Sequence, residues 1–229
     1  MDLSDSPSNT TTNGYEMLKR DILHGVFKPG EKLLMNSLKE RYALGVGPLR
    51  EALSPLVTQR LVVATNQRGF RVASMSLEEM RDVYDARANL EAMILMLAIE
   101  RGDDTWEAMI LARAHTLSKV MEVNTQDQMM DVWDARHKAF HTAIASGCGS
   151  THLMQARATL ADQAERYRHL WLRTTVLSPE ALASKRQEHS LLIDSILERD
   201  APKASSMMRK HLLSPIPIIE KIMMKAPYS

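Results

Sequence analysis

LGVGPLREALSPLVTQR, residues Leu44 to Arg60, is the stretch of sequence that decides the fold of this chain. Leucine, alanine and valine recur in it at three- and four-residue steps, which is the spacing of one apolar helix face. Pro48 suits the first helical position, because a proline there loses no hydrogen bond. Arg50 and Glu51 lie off the apolar face near the helix start, where backbone N–H groups and the helix dipole attract phosphate. The stretch therefore predicts a helix whose first turn faces outward.

A second, shorter helix precedes this stretch. Residues 35 to 42 (MNSLKERY) have helical spacing, and Gly45 and Gly47 lie in the short turn between the two helices. A helix, a tight turn and a second helix form the helix-turn-helix unit that places a helix in the major groove of DNA. An ordinary pair of packed helices has the same spacing, so both interpretations stay open at this point.

The residues that follow favour the DNA-binding interpretation. Residues 61 to 63 read as a strand, residues 66 to 69 (NQRG) as a polar turn, and residues 70 to 73 as the returning strand. A hairpin with a basic tip directly after a helix-turn-helix is a wing. Arg68 at this tip would contact the DNA backbone or the minor groove.

Four short motifs together resemble the signature of the GntR family of winged-helix regulators: KPGEKL (28 to 33), PLREAL (48 to 53), LV (61 to 62) and NQRGFRV (66 to 72). The resemblance covers residues 14 to 73. It implies a DNA-binding domain, which we place at residues 13 to 74. The residues predicted to contact double-stranded operator DNA are Lys39, Arg41, Val46, Arg50 and Arg68.

The sequence departs from the family at one DNA-contacting position. The family usually has an arginine where this chain has Val46. We therefore expect Arg50 to make the main polar contact with the operator and Val46 an apolar contact with a thymine methyl group. Because one winged helix reads only a short half-site, the protein is expected to bind a roughly palindromic operator as a homodimer.

Composition sets the broad class. The chain has 229 residues, of which only 5% are aromatic and only 9 are glycine, and this composition favours helices over sheets. Cys148 is the single cysteine, so a disulfide within the chain and a cysteine-based zinc site are both excluded. The sequence has no apolar run long enough to cross a membrane and no signal-peptide core, so we expect a cytoplasmic protein without a membrane partner.

The rest of the chain is predicted to be helical. Residues 1 to 12 are small and polar and are expected to form a disordered tail before a first helix near residues 14 to 24. Ser76, with Glu79 three residues later, forms a predicted capping box at the start of a second domain, residues 75 to 229. Turn residues divide this domain into helices at 77 to 100, 104 to 121, 126 to 146, 150 to 176, 179 to 199 and 202 to 213, with a short tail helix. The fold class is therefore mainly α, with an all-α bundle behind the winged helix.

Two pairs of histidines stand out in the predicted bundle. His137 and His141 are four residues apart, so they lie one turn apart on the same helix face. His189 and His211 lie on either side of the turn near residue 200, at similar distances from it, so an antiparallel helix pair brings them to the same height. Four converging imidazoles are a complete set of ligands for zinc or nickel. Histidines that are merely exposed or hydrogen-bonded are the alternative.

Residues 139 to 141 (AFH), 188 to 189 (EH) and 208 to 212 (MRKHL) resemble FCD, the helical effector-binding domain of the FadR branch of the GntR family. The match covers residues 77 to 213. In that domain an aspartate joins three histidines around a divalent metal. Here His137 occupies the aspartate position, and Asp134 lies one turn further away. The resemblance thus implies a four-histidine site or, as alternatives, a displaced or absent metal.

The same resemblance implies a small carboxylate effector that completes the metal shell. An arginine would hold the other end of such a ligand, because a guanidinium pairs bidentately with a carboxylate. Arg87 is the first candidate, and Arg166 and Tyr167 are further candidates. Nearly the whole chain is similar to glutarate-responsive repressors of this branch, so a five-carbon dicarboxylate such as glutarate is the expected effector, and its binding is expected to release DNA.

Two other functions are compatible with parts of the sequence. The four histidines could form the metal centre of an enzyme that acts on a small organic acid, with Glu188 as general base. This alternative leaves the winged helix unexplained, so we expect a regulator and not an enzyme. A helical interaction scaffold that binds no ligand is the third interpretation.

Overall fold

The computed structural model describes residues 7 to 65, 69 to 172 and 177 to 225, with the backbone alone described for residues 7 to 12. Helices dominate this part of the chain, and the sheet is small, so the predicted mainly α class is confirmed. In the described part of the chain, no helix is both long and apolar enough to cross a membrane.

The first part of the chain is a winged helix. Its elements are α1 (Pro7–Leu23), β1 (Lys32–Leu33), α2 (Met35–Tyr42), α3 (Val46–Thr58), β2 (Val62–Thr65) and β3 (Gly69–Val72). The strands form one antiparallel sheet in the order β1-β3-β2, in which Val62 pairs with Val72. Leu18, Leu49 and Leu53 have no exposed surface, so the apolar face of α3 forms the centre of this core.

Two local predictions differ from this structure, and one short strand was not predicted. The helix α1 begins at Pro7, so residues 7 to 12, which were expected in a disordered tail, have a helical backbone. A packed helix extends by one hydrogen bond per added residue, and this outweighs the weak signal of small polar residues. The helix α3 begins at Val46 and not at Pro48, which still lies in the first turn, where its missing N–H costs nothing. The two-residue strand β1 was not predicted, because it is too short to show a period.

The wing has the predicted hairpin form. β2 and β3 pair from Val62 to Thr65, and the Thr65 hydroxyl donates a hydrogen bond to the Gly69 carbonyl at 3.0 Å. Gly69 has a φ of 93°, a backbone conformation that favours glycine at this turn. The predicted tip residue Arg68 lies outside the described residues.

The second part of the chain is a helical bundle. Its elements are α4 (Leu77–Arg101), α5 (Asp104–Ser118), a π-helical segment (Gln128–Asp134) that continues into α6 (Ala135–Ser146), α7 (Thr151–Leu172), α8 (Pro179–Leu197), α9 (Ala201–Leu213) and α10 (Ile216–Lys225). Their order and positions agree with the predicted helices. The predicted end of α7 at residue 176 falls outside the described residues.

The bundle begins at the predicted helix cap. The Ser76 hydroxyl accepts a hydrogen bond from the Glu79 backbone N–H at 3.0 Å, as in a capping box. The Glu79 carboxylate accepts a hydrogen bond from the Tyr167 hydroxyl at 2.5 Å. The predicted Ser76 cap is therefore formed, and the Glu79 carboxylate links α4 to α7.

Candidate metal and effector site

The structure brings the four predicted histidines together. His137 and His141 lie one turn apart on α6, His189 lies on α8 and His211 on α9. Each ring offers one nitrogen to a group in which all four nitrogens lie within 4.8 Å of one another. Nε2 of His137 and Nε2 of His141 are 3.1 Å apart. The turn between α8 and α9 thus aligns the second pair with the first, as the spacing predicted.

These imidazoles are held in the neutral form. Burial, followed by the charges of the neighbouring rings, lowers the pKa of His137 and of His141 well below the ordinary value. Burial also lowers the pKa of His189 to about 3 and lowers that of His211. A neutral imidazole is the form that binds a metal ion, so all four side chains are ready to act as ligands at neutral pH.

The hydrogen bonding of the cluster fits a metal ion. Nδ1 of His141 and Nε2 of His189 are buried and have no hydrogen-bond partner among the described residues. A buried polar atom left unsatisfied costs about 1–3 kcal/mol, so such atoms usually mark a water or an ion. Four neutral nitrogen donors form the ligand set of a zinc or nickel site. The residues present therefore fit the divalent ion that the FCD resemblance implies.

A carboxylate supports the cluster from outside. Nδ1 of His211 donates a hydrogen bond to Oε2 of Glu188 at 3.0 Å, and Lys185 contacts the same oxygen at 2.8 Å. The hydrogen bond from His211 and the Lys185 ammonium lower the pKa of Glu188, so it is ionised. This arrangement orients the His211 ring and directs its other nitrogen to the cluster. Glu188 thus positions a ligand ring, which is a different role from the general base of the enzyme interpretation.

A cavity of about 200 Å³ adjoins the histidines. It is smaller than the roughly 300–1,000 Å³ of drug-sized pockets, so it suits a small molecule. Its polar and charged lining residues are Tyr84, Arg87, His137, Lys138, His141, Thr142, Arg157, Asp162, Glu165, Arg168 and His211. The four histidines thus lie at one wall of a cavity whose other walls carry Arg87, Lys138, Arg157 and Arg168 together with the carboxylates of Asp162 and Glu165.

Arg87 lines this cavity, where the sequence analysis expected it. Its Nε donates to Oε1 of Glu91 at 3.1 Å, and Nε of Arg157 donates to Oε2 of the same carboxylate at 2.8 Å. Glu91 is 2% exposed and sits between the two guanidinium groups. One carboxylate thus fixes two arginines, and the pair carries one positive charge in excess. Neither Arg157 nor Glu91 was predicted from the sequence.

The structure does not place Arg166 and Tyr167 in the effector cavity. Arg166 donates hydrogen bonds to the Ala73 carbonyl and, at 3.2 Å, to the Ser74 carbonyl, so it joins the bundle to the end of the wing. Tyr167 binds Glu79, and burial, followed by this hydrogen bond, raises its pKa. Each residue of a helix points about 100° from the previous one, so Arg168 is the member of this run that lines the cavity.

Asp134 stands apart from the four histidines. It pairs with Arg168 and, at 3.3 Å, with Lys138, and Nε2 of His169 lies 3.4 Å from its Oδ2. Burial alone would raise its pKa, but Arg168, His169 and Lys138 outweigh burial and lower it. Oδ1 of Asp134 has no hydrogen bond of good geometry among the described residues. Its partner is the Arg168 guanidinium, with which it forms an ion pair. The nearby carboxylate therefore belongs to an ion-pair network next to the metal candidates.

The predicted DNA-reading residues occupy the expected elements. Val46 is 42% exposed at the first turn of α3, and Arg50 is exposed one turn later on the same face. Lys39 is exposed on α2. Arg41 is exposed but pairs with Asp21 at 2.7 Å, so its guanidinium already has a carboxylate partner. Val46 and Arg50 thus share the exposed face at the start of α3.

Comparisons with known proteins agree with this architecture. Residues 10–72 match the profile of the gntR family of bacterial regulatory proteins, and residues 82–214 match the profile of the FCD domain. The chain is 57% identical to the HTH-type transcriptional repressor GlaR of Escherichia coli over 93% of this chain and 97% of that protein. It is 35% identical to the HTH-type transcriptional regulator BphR of Paraburkholderia xenovorans over 90% of this chain and 84% of that protein.

A solved structure has the same fold. The chain is similar to E. coli McbR/YncC with a TM-score of 0.76 at 21% sequence identity, over 93% of this chain and 97% of that one. At this level of identity the likeness concerns the arrangement of the winged helix and the bundle.

Proposed function

We propose, because this chain belongs to the GntR family of bacterial regulatory proteins and carries an FCD domain, that a small dicarboxylate bound beside a metal ion releases it from its operator. The chain is a transcriptional repressor with an effector domain and not an enzyme. The finer proposal concerns the effector, the metal and the dimer. Glutarate is the effector that we propose, and zinc or nickel is the metal.

The observation that carries this proposal is the convergence of four neutral imidazoles at the wall of a cavity that also holds Arg87 and Arg157. A divalent ion held by the four rings would supply positive charge, and one ligand carboxylate could bind it only by expanding its coordination beyond the four nitrogens. The two arginines, fixed by Glu91, would receive the other carboxylate through charge-assisted hydrogen bonds. A short dicarboxylate has the charge and the two ends that this arrangement requires.

The DNA-binding side of the proposal concerns residues 13 to 74, and residues 75 to 229 form the effector side. Each α3 would read a short half-site through Arg50 and Val46, and Lys39, Arg41 and the wing residue Arg68 would contact the flanking DNA. A homodimer doubles this short reading length, so the operator would be a palindrome with half-sites about one helical turn apart or a multiple of it. The protein would act in the cytoplasm, where its operator lies.

Effector binding can change DNA affinity only by its differential affinity for two arrangements of the dimer. We propose that the effector-bound arrangement has the reading heads misplaced relative to the two half-sites. Glutarate would then weaken operator binding, and operator DNA would weaken glutarate binding by the same factor.

The test combines metal content, ligand binding and DNA binding. Untagged protein should contain about one equivalent of metal per chain, and less than about a tenth of an equivalent would reject the metal site. Calorimetric titration should show glutarate binding that is lost after chelation and restored by zinc or nickel. Fluorescence anisotropy with operator DNA should then show release at saturating glutarate. Unchanged operator affinity would reject glutarate as the effector.

A further inference from the structure

One helix of the bundle contacts both the effector cavity and the winged helix. Glu165 and Arg168 of α7 line the cavity. On the neighbouring face of α7, the Gln163 side chain donates to the Gln59 carbonyl at 3.1 Å, and His169 contacts the end of α1. A change in the cavity wall is therefore only one or two side chains away from the DNA-binding part.

His169 makes the contact that joins the two regions. Its ring is 1% exposed, and Nδ1 donates a hydrogen bond to the Leu23 carbonyl at 2.7 Å. Leu23 ends α1, so its carbonyl is one of the groups that a helix leaves without an internal partner. Nε2 lies 3.2 Å from Glu165 and 3.4 Å from Asp134. The ring therefore lies between acceptor oxygens on both sides, the Leu23 carbonyl at one nitrogen and two carboxylates at the other.

The same two carboxylates are held from the other side by cations of the cavity wall. Lys138 contacts Glu165 at 2.7 Å and Asp134 at 3.3 Å, and Arg168 is ion-paired with Asp134. Both cations line the effector cavity. A continuous series of polar contacts thus runs from the cavity through two carboxylates to His169. Asp134 and Glu165 therefore belong to an ion-pair network with Lys138 and Arg168.

We propose that His169 is the positioning residue that transmits effector binding to the winged helix, an inference that rests on the function proposed above. The negative charge of an effector in the cavity attracts Lys138 and Arg168, which line the same cavity, and so weakens their pairing with Asp134 and Glu165. The carboxylates, less neutralised, then attract Nε2 of His169 more strongly. The contacts of Nε2 are longer than the 2.7 Å bond of Nδ1, so there is room for them to shorten. Their shortening lengthens the bond to Leu23 and loosens α1 from α7.

A second contact offers a competing route. Asp162 of α7 also lines the cavity, and it pairs with Lys19 of α1 at 2.5 Å. Lys19 and Leu23 lie one turn apart, so the two contacts hold the same end of α1. The experiment must therefore separate His169 from this ion pair, and Lys19→Gln provides the comparison.

The first arm measures transmission with glutarate as the probe. Operator affinity is determined with and without saturating glutarate in the full-length wild type, His169→Gln, Lys19→Gln and the control His152→Gln, an exposed histidine of the same helix. The wild type and both control substitutions should lose operator affinity by about tenfold or more, within the usual range of allosteric coupling. His169→Gln should lose less than about threefold while still binding glutarate and operator DNA. The inference would be overturned if glutarate lowered the operator affinity of His169→Gln as much as that of the wild type. It would also be overturned if Lys19→Gln were the only variant whose operator affinity glutarate did not lower.

The second arm needs no effector and keeps the inference testable if glutarate is the wrong ligand. Amide hydrogen exchange is measured for the peptide that covers the end of α1. Glu165→Gln removes one attraction on Nε2 of His169, so exchange of this peptide should slow by about twofold or more, and it should not slow in the His169→Gln background. Glu100→Gln, an exposed change on α4, should have no effect.

The two arms separate the possible failures. If glutarate does not bind the wild type but amide exchange slows in Glu165→Gln, the proposed effector is rejected and the series of contacts through His169 is supported. Unchanged exchange in Glu165→Gln, or equal slowing with and without His169, rejects the contact series whatever the ligand is. If His169→Gln does not fold, the comparison of Glu165→Gln with Glu100→Gln still decides the inference.

Discussion

Glu91→Gln tests how the cavity holds its two arginines. The Glu91 carboxylate accepts hydrogen bonds from Nε of Arg87 and from Nε of Arg157. The side chain of Glu91 is 2% exposed, that of Arg87 is 13% exposed and that of Arg157 is 7% exposed. Glutamine keeps the shape and one acceptor oxygen. Its amide nitrogen is a donor, so it cannot accept from the second guanidinium, and both arginines lose the compensating charge.

The magnitude follows from these contacts. A hydrogen bond to a charged group contributes about 1.5–3 kcal/mol, and breaking a buried ion pair costs about 3–5 kcal/mol. Because one acceptor remains, we expect Glu91→Gln to lower the free energy of unfolding by about 3 kcal/mol. For a chain of this length about 1 kcal/mol corresponds to roughly 2–4 °C, so the melting temperature should fall by about 6–12 °C. Glutarate should restore part of the loss, since its carboxylate would replace the missing charge.

The assay is urea and thermal unfolding with and without glutarate, and Asp85→Asn is the matched control. Asp85 lies on the same helix and pairs with Arg209 at 2.7 Å, but the two side chains are 59% and 40% exposed. Exposed pairs contribute about 0–1 kcal/mol, so the control should change stability by no more than that. Equal effects of Glu91→Gln and Asp85→Asn would refute the view that burial makes this pair essential.

Four further predictions concern DNA, metal, ligand choice and pH. Arg50→Ala should weaken operator binding by about 1–3 kcal/mol in anisotropy, whereas Arg113→Ala, an exposed change in the bundle, should leave it unchanged. His189→Gln should lower the metal content measured by elemental analysis, and wild-type stoichiometry in this variant would contradict the four-ligand site. Glutarate should bind about tenfold or more tightly than pentanoate, which has the same chain length and one carboxylate, in calorimetric titration. Burial lowers the folded-state pKa of His189 to about 3. Below pH about 6.5, this histidine therefore binds a proton more readily in the unfolded chain than in the folded protein. Metal-free protein should therefore lose stability as pH falls, and His189→Gln should reduce the loss between pH 6 and pH 5 by about 1 kcal/mol in urea unfolding.

Much of the architecture could be predicted from local sequence signals. The apolar face of α3, the breaks between bundle helices and the cap at Ser76 depend on residues a few positions apart, so they are visible without a structure. The histidine cluster was also predictable, because one pair is a helix turn apart and the turn near residue 200 aligns the other pair. Each of these features requires only helix geometry and the position of a turn.

The arginines of the cavity and the carboxylate that holds them could not be predicted, because their contacts join residues that are distant in the sequence. Glu91 and Arg157 are 66 positions apart, and both are buried charges, which a sequence pattern does not distinguish from exposed ones. The rotation of α7 was also hidden. Buried polar side chains lie on several faces of this helix, so no apolar face marks its orientation, and Arg166 could not be told from Arg168. Only the packing of α7 between two domains determines which arginine reaches the cavity.

The charge balance of the cavity explains why a dicarboxylate suits this site better than a monocarboxylate. Lys138 and Arg168 are matched by Asp134 and Glu165, so this wall carries no excess charge. Arg87 and Arg157 share one carboxylate and keep one positive charge in excess. The four neutral histidines leave the charge of a divalent ion uncompensated as well. A ligand that neutralises only one of these two ends leaves the other excess charge in a low-dielectric cavity, where an unpaired charge is costly. A molecule with a carboxylate at each end would satisfy both, and this is the physical reason why we propose a dicarboxylate as the effector.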